Sequence, residues 1–308
     1  MAYVHPRLRP LLEAARGQPT LADISVDQAR AQITARTAAR PRGPQVAEVL
    51  ELDALGPRGP IAVRVYRPEQ PCGLAIAFHG GGWLMGSRDS FDATCRNLAV
   101  ESGLAVANVE YRLAPEHPFP APVEDAFAAT AWLAERGPSL RLPAERLVVL
   151  GESAGGNLAA VVCLMARDRG GPPIRLQVLV YPAVDARQSC ESLRTFETGY
   201  LQTTRDVARA WRTYGVGRHV AAEDWRVSPL LASSHAGLPP ALIISAECDG
   251  TRDDSDAYTQ VLLNSGVPAM HVRYAGMLHA FFGMRGLIDE AAEAQRQVSA
   301  AMRAAVMI

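Results

Sequence analysis

The chain has 308 residues, with 31 basic and 32 acidic side chains and a formal charge of −1. Every basic residue is arginine and lysine is absent, which excludes a Schiff-base lysine, a phosphate-loop lysine and a Ser-x-x-Lys pair. Balanced charge and a pI near 6.7 give no electrostatic reason to expect nucleic acid or an anionic membrane as partner.

The uninterrupted apolar run Leu158–Ala166 is half of what a bilayer span requires, so no integral membrane segment is expected. The first residues, MAYVHPRLRPLLEAARG, lack the apolar stretch and small-residue site of a secretory signal. Cysteines 72, 95, 163, 190 and 248 form no CxxC or zinc spacing, and their odd number prevents a complete disulfide set. A reducing cytoplasm is the expected compartment.

In chain order, residues 1–45 are helical in pattern, with Ser25 and Gln28 spaced as a capping box. Two β-type stretches, 46–52 and 61–67, flank a Gly/Pro turn. From Leu74 onward, short apolar runs alternate with helical periodicity. Strands are predicted at 74–79, 104–111, 146–152, 176–182, 241–248 and 269–275. Helices are predicted near 88–102, 122–136, 154–168, 253–264 and 288–306. Runs that are apolar throughout, with helices between them, indicate an α/β fold with a parallel sheet covered on both faces. Segment 185–225 carries another helical stretch, TRDVARAWRTYG, that breaks the alternation. Together with 1–45 it reads as a helical cap over the C-terminal edge of the sheet. Residues 46–184 and 226–308 remain as the catalytic α/β domain.

Three loops carry chemistry. LVVLGESAGG (147–156) runs from a buried-type strand through Gly151-Glu152-Ser153-Ala154-Gly155 into a helix, the arrangement of a nucleophile elbow. HGGGW (79–83) follows the strand at 74–79, and backbone without Cβ atoms can turn its N–H groups toward one developing oxyanion. Gly81, Gly82 and Ala154 are the expected donors, and His79 is expected to tie the loop down. A phosphate cradle is the rival for these glycines, but neither GxGxxG nor lysine accompanies them.

A serine nucleophile needs a base and an orienting acid. Of seven histidines, His5 and His219 fall in the cap, His117 in a Pro-rich loop, His235 in a surface-type loop and His271 inside a strand. His279 alone lies in a loop between the last strand and the last helix, where open parallel sheets carry reactive groups. Asp249 ends the strand 241–248 and takes the acid role, while Asp253 and Asp254 are placed to cap the next helix. The order Ser153, Asp249, His279 completes a triad.

On HGGGW (79–83), YRLAPEHPFPAPVEDA (111–126), GESAGGNLAA (151–160) and the Asp249/His279 pair, the sequence resembles the hormone-sensitive-lipase-like group of microbial carboxylesterases, α/β-hydrolases. The resemblance covers about residues 45–308. It implies a mostly parallel eight-stranded sheet, a helical cap, no metal or cofactor, and hydrolysis of a small-molecule ester through an acyl-enzyme. Members of the group often form dimers. The resemblance also implies that Tyr111, Arg112, Glu116 and Asp125 brace the oxyanion loop rather than react. Glu152 stands where the group most often has Asp, Gly250-Thr251 where Pro-Leu commonly follows the acid, and Ala280 where Gly is common. Trp83, Phe281 and Phe282 are expected to line the substrate pocket or pack beneath it, and Trp211 and Tyr214 to form the cap core. The expected activity is short- to medium-chain ester hydrolysis. An amide hydrolase such as an arylformamidase is the alternative within the family. A catalytically silent receptor on the same scaffold is the alternative outside it, and the receptors that resemble this group have lost the histidine.

Overall fold

The computed structural model describes residues 2–307. Its strands are β1 (Glu48–Gly56), β2 (Gly59–Arg67), β3 (Leu74–Phe78), β4 (Ala105–Val109), β5 (Leu147–Glu152), β6 (Ile174–Val180), β7 (Ala241–Cys248) and β8 (Ala269–Leu278). Its helices are α1 (Arg9–Ala15), α2 (Val26–Ala38), α3 (Arg88–Ser102), α4 (Ala121–Arg136), α5 (Ala154–Asp168), α6 (Ser192–Thr195), α7 (Thr204–Tyr214), α8 (Arg252–Asn264) and α9 (Asp289–Val306). The strands form one eight-stranded sheet in the order β1-β2-β4-β3-β5-β6-β7-β8. The β1/β2 and β2/β4 pairs are antiparallel, and the pairs from β4 to β8 are parallel. A helix after each inner strand forces the parallel pairing, because a crossover must return the chain to the same edge. The β1–β2 hairpin needs only a two-residue turn, so it pairs antiparallel.

Alternation along the central strands sorts the core into two layers. Leu74, Ile76 and Phe78 of β3 point, with Leu147 and Val149 of β5, toward α4, α5 and α8. Ala75, Ala77, Val148 and Leu150 point the other way, toward α3 and α9. Helix α5 is buried from Ala154 through Ala166, which explains why its run is apolar on every face.

The strand ends depart from expectation most at β1, which runs four residues past 52, to Gly56, and at β8, which runs three past 275, to Leu278. Segments 1–45 and 185–225 meet each other. The Asp206 carboxylate of α7 accepts the Ala22 N–H at 2.6 Å, Arg205 pairs with Asp23 at 2.9 Å, and Arg209 donates to the Leu21 and Ile24 carbonyls. The Ser25/Gln28 capping box starts α2, with bonds of 3.1 and 2.8 Å. Helix α2 buries only Ala29, so burial alone cannot hold it to the sheet. No helix among the described residues is long and apolar enough to cross a membrane.

Candidate active site

Strand register brings the reactive loops together. Phe78 of β3 pairs with Gly151 of β5, so the chains leaving these strands, His79 onward and Glu152-Ser153, emerge side by side. After a register shift, Cys248 of β7 pairs with Leu278 of β8, which sets the next residues, Asp249 and His279, beside each other.

Ser153 adopts φ 55°, ψ −114°, in the left-handed half of the map that side chains avoid. Such strain persists only where the surroundings hold it. Here β5 and α5 meet so closely that a Cβ on Gly151 would lie 1.9 Å from the Gly155 carbonyl oxygen. The Ser153 hydroxyl lies 2.9 Å from His279 Nε2, and His279 Nδ1 lies 2.7 Å from Asp249 Oδ2. With the Nδ1 proton donated to the carboxylate, Nε2 is left to accept the serine proton. The other carboxylate oxygen, Oδ1, accepts Thr251 N–H at 2.9 Å and Thr251 Oγ1–H at 3.1 Å. Thr251, in the segment that departs from the family pattern, thus fixes the orientation of the Asp249 carboxylate. Sequence reasoning missed it because a threonine two residues from an aspartate is common in any turn.

Burial alone would push His279 below its ordinary value, but the Asp249 charge and hydrogen bond, with the Glu152 charge, outweigh it and leave the imidazole raised. Burial also pushes the Glu152 carboxyl up, against the pull of Tyr181, His279 and Arg40. Glu152 accepts the Tyr181 hydroxyl at 2.9 Å, and the Tyr181 ring lies 4.7 Å from that of His279.

The HGGGW loop turns where only glycine fits. Gly81 has φ +122°, and a Cβ there would lie 2.1 Å from the Met85 carbonyl oxygen. Among the described residues none accepts a hydrogen bond from the amides of Gly81, Gly82 or Ala154, which leaves them free for a ligand oxygen. Tyr111 donates to the His79 carbonyl at 2.8 Å and stacks on the His79 ring at 4.3 Å, while His79 Nδ1 lies 2.8 Å from the Gly80 carbonyl. Burial pushes His79 below its ordinary value, so it stays neutral. Arg112 binds Asp125 through Nε and Nη2, at 2.8 and 2.7 Å. Glu116 reaches the loop only through Arg30 of α2. That guanidinium meets both Glu116 oxygens at 2.8 and 2.7 Å, the Leu84 carbonyl at 2.8 Å and the Ala114 carbonyl at 3.0 Å. No local motif marks Arg30.

Of the two places expected for Trp83, Phe281 and Phe282, their burial, at most 1 % exposed, selects packing beneath the site, and two other expectations change. Trp83, at φ 60°, stacks on Tyr214 and lies against Trp211, each at 4.3 Å, so α7 holds the loop in this turn. His235 is buried rather than on the surface, with Nε2 2.9 Å from the Pro229 carbonyl. Asp253 and Asp254 do not cap α8, whose N-cap is Thr251. They accept the N–H groups of Ser192 and Val184 instead, at 2.7 and 3.0 Å, because the returning chain brings those amides against them. His271 is satisfied on the sheet, with Nε2 2.7 Å from Ser245 Oγ.

A cleft of about 1780 Å³ has His279, Ala280, Gly283 and Met85 on its wall.

Residues 75–283 match the family described as the alpha/beta hydrolase fold. The chain is 40% identical to the carboxylic ester hydrolase LipN of Mycobacterium tuberculosis, over 97% of this chain and 82% of that protein. It is 39% identical to an ethyl acetate hydrolase of Pseudomonas putida, over 76% of this chain and 75% of that one. An ester-hydrolase from the metagenome of Lake Arreo, solved with a derivative of bipyridine phosphonate, superposes with a TM-score of 0.92 at 36% identity, covering 98% of both chains.

Proposed function

We propose a mechanism that starts from the chain's identity: it belongs to the hormone-sensitive-lipase-like group of the α/β-hydrolase family and is a carboxylic ester hydrolase. Ser153 is the nucleophile, His279 the general base and then acid, and Asp249 the group that orients the imidazole and stabilises its charged form. His279 Nε2 takes the hydroxyl proton as Ser153 Oγ bonds to the ester carbonyl carbon. The carbonyl oxygen gains charge facing the N–H groups of Gly81, Gly82 and Ala154. Collapse of this tetrahedral species breaks the bond to the alcohol oxygen, which receives the proton from His279. Water, deprotonated by the same imidazole, then releases the acid and restores Ser153. The observation that carries the reading is the unbroken chain from Ser153 Oγ through His279 to Asp249, at 2.9 and 2.7 Å.

Segments 1–45 and 185–225 act as the cap, and their contacts across α7 support that division. Tyr111, Arg112 and Asp125 brace the oxyanion loop, Glu116 does so only indirectly through Arg30, and His79 and Glu152 support the site. The substrates are short- to medium-chain acyl esters, a range that includes what the ethyl acetate hydrolase is named for. The chain acts in the cytoplasm, a reading supported by five free thiols.

Ser153→Ala is expected to melt at the wild-type temperature while hydrolysis of p-nitrophenyl butyrate falls about 10⁵–10⁶-fold. The variant should also lose labelling by an organophosphonate, read by intact mass. Retained turnover in the folded variant overturns the mechanism.

A further inference from the structure

The wall of the cleft beside His279 carries charge that the mechanism does not use. Of its acids, Asp89 meets Arg64 at 2.7 Å, and Asp92 meets Arg96 at 2.7 Å and the Tyr66 hydroxyl at 2.6 Å. Asp206 accepts two backbone N–H groups, at 2.6 and 2.9 Å. Arg285 pairs with Glu101 at 2.7 Å. Against these, Arg36, Arg40 and Arg42 line the same cleft and, among the described residues, have no carboxylate within ion-pair distance. The cleft is therefore basic on a chain whose formal charge is −1.

Arg40 lies nearest the chemistry. A Cβ placed on Gly283, four residues beyond His279, would stand 3.4 Å from Arg40 Nη1. Direction follows from the proposed mechanism, on which this step rests. The ester carbonyl oxygen must face Gly81 and Gly82, and the alcohol oxygen must face His279 Nε2. His279 and Gly283 share the lining of one cleft with the three arginines, so an alcohol half that leaves past His279 enters the space they face.

We infer that the Arg36–Arg40–Arg42 wall selects esters whose alcohol half carries an anionic group such as a carboxylate. Arg40 is the principal specificity residue, and Arg36 and Arg42 raise the local concentration of the anion. Arginine suits this role because its planar fork grips a carboxylate through two parallel hydrogen bonds. The contact forms equally in the bound ester and at the transition state, so it acts on KM and leaves kcat nearly unchanged.

The test compares 4-acetoxybenzoate with its methyl ester, the same acetyl ester with and without the charge on the alcohol half. Arg40→Gln is expected to raise KM for 4-acetoxybenzoate about five- to tenfold and to change the methyl ester less than about twofold. The triple variant with Arg36→Gln and Arg42→Gln should lose more. In the wild type, raising salt from about 0.01 to about 1 M should erode the preference for the anion, since the guanidinium groups are exposed. An equal change on both esters, or none on the anionic one, overturns the inference. Loss of the preference through kcat alone overturns it too. Turnover of the methyl ester by folded Ser153→Ala would instead overturn the mechanism on which the inference rests.

Discussion

The imidazole of His279 sits between two carboxyl groups of opposite character. Asp249 touches it through a 2.7 Å hydrogen bond, and Glu152 acts on it only through its field, across the Tyr181 ring. Both favour the protonated ring against the penalty of burial, and His279 ends above its ordinary value. In the proposed mechanism only the neutral ring accepts the serine proton, so activity is expected to fall as pH drops through that raised value. The acid limb of kcat/KM should therefore be half-maximal above about pH 6.5, the unperturbed histidine value. In Asp249→Asn the limb should move down as the charge disappears, and kcat should fall about 10⁴-fold as the tautomer is no longer fixed. A limb unmoved by the substitution would mean that another group sets it. The residues of this chain were legible because each follows a strand with a simple apolar pattern. Thr251, which aims the acid, and Tyr181, which couples Glu152 to the base, leave no such mark. Their roles depend on where folding sets a common residue type.

Helix α2 shows how little burial an element needs when its polar contacts are well aimed. With only Ala29 buried, it is held against the loops after β3 and β4 by the Arg30 fork, which binds the Leu84 and Ala114 carbonyls and Glu116. Arg30 pulls the Glu116 carboxyl down to about 2, yet that pair is exposed and such pairs contribute about 0–1 kcal/mol. The bonds to the Leu84 and Ala114 carbonyls are the ones expected to matter, since they hold the backbone that carries Gly81 and Gly82. Arg30→Gln should lower kcat for butyrate ester about tenfold and speed amide exchange across residues 80–86. Glu116→Gln should change kcat less than about twofold. Similar losses in the two variants would assign the role to the ion pair instead. Sequence patterning located α2 and its capping box, since both are local. It could not pair Arg30 with residues more than fifty positions away. Helix α7 makes the same point in apolar form, because Trp211 and Tyr214 are visible at i, i+3 spacing but their partner Trp83 is not.

Across the whole molecule, charge is arranged so that one buried carboxyl opposes folding at high pH. Asp254, on the first turn of α8, is buried, and burial pushes it up to about 7 despite the Val184 N–H that favours its charge. Its neighbour Asp185 is held down by Arg187, at 2.9 Å, and keeps its charge, so Asp254 is the member of the pair that takes the proton. The native state then binds a proton that the unfolded chain has already released at about pH 4. Stability therefore falls as pH rises from about 4 to about 7. Asp254→Asn, which keeps an acceptor for Val184, should raise Tm at pH 8 and leave it nearly unchanged at pH 4, by calorimetry at the two pH values. A Tm gain that is equal at both would point to packing rather than charge. Long apolar runs made the sheet, its two-sided core and the loop cluster at the strand ends readable from sequence. The antiparallel joins of β2 and the three extra residues of β8 required the folded register.

The Arg30 fork also constrains how substrate enters. One guanidinium fastens both α2 and the loop whose amides we propose face the reacting carbonyl. A motion that swings α2 clear of the cleft must let go of Leu84 and Ala114 at the same moment. An enzyme opened by that route would be accessible and unready at once, with its donors adrift until the helix returned. Substrate therefore needs a path that leaves α2 seated and the Arg30 contacts to Leu84 and Ala114 intact. Traffic in and out is thereby separated from the parts that must stay still.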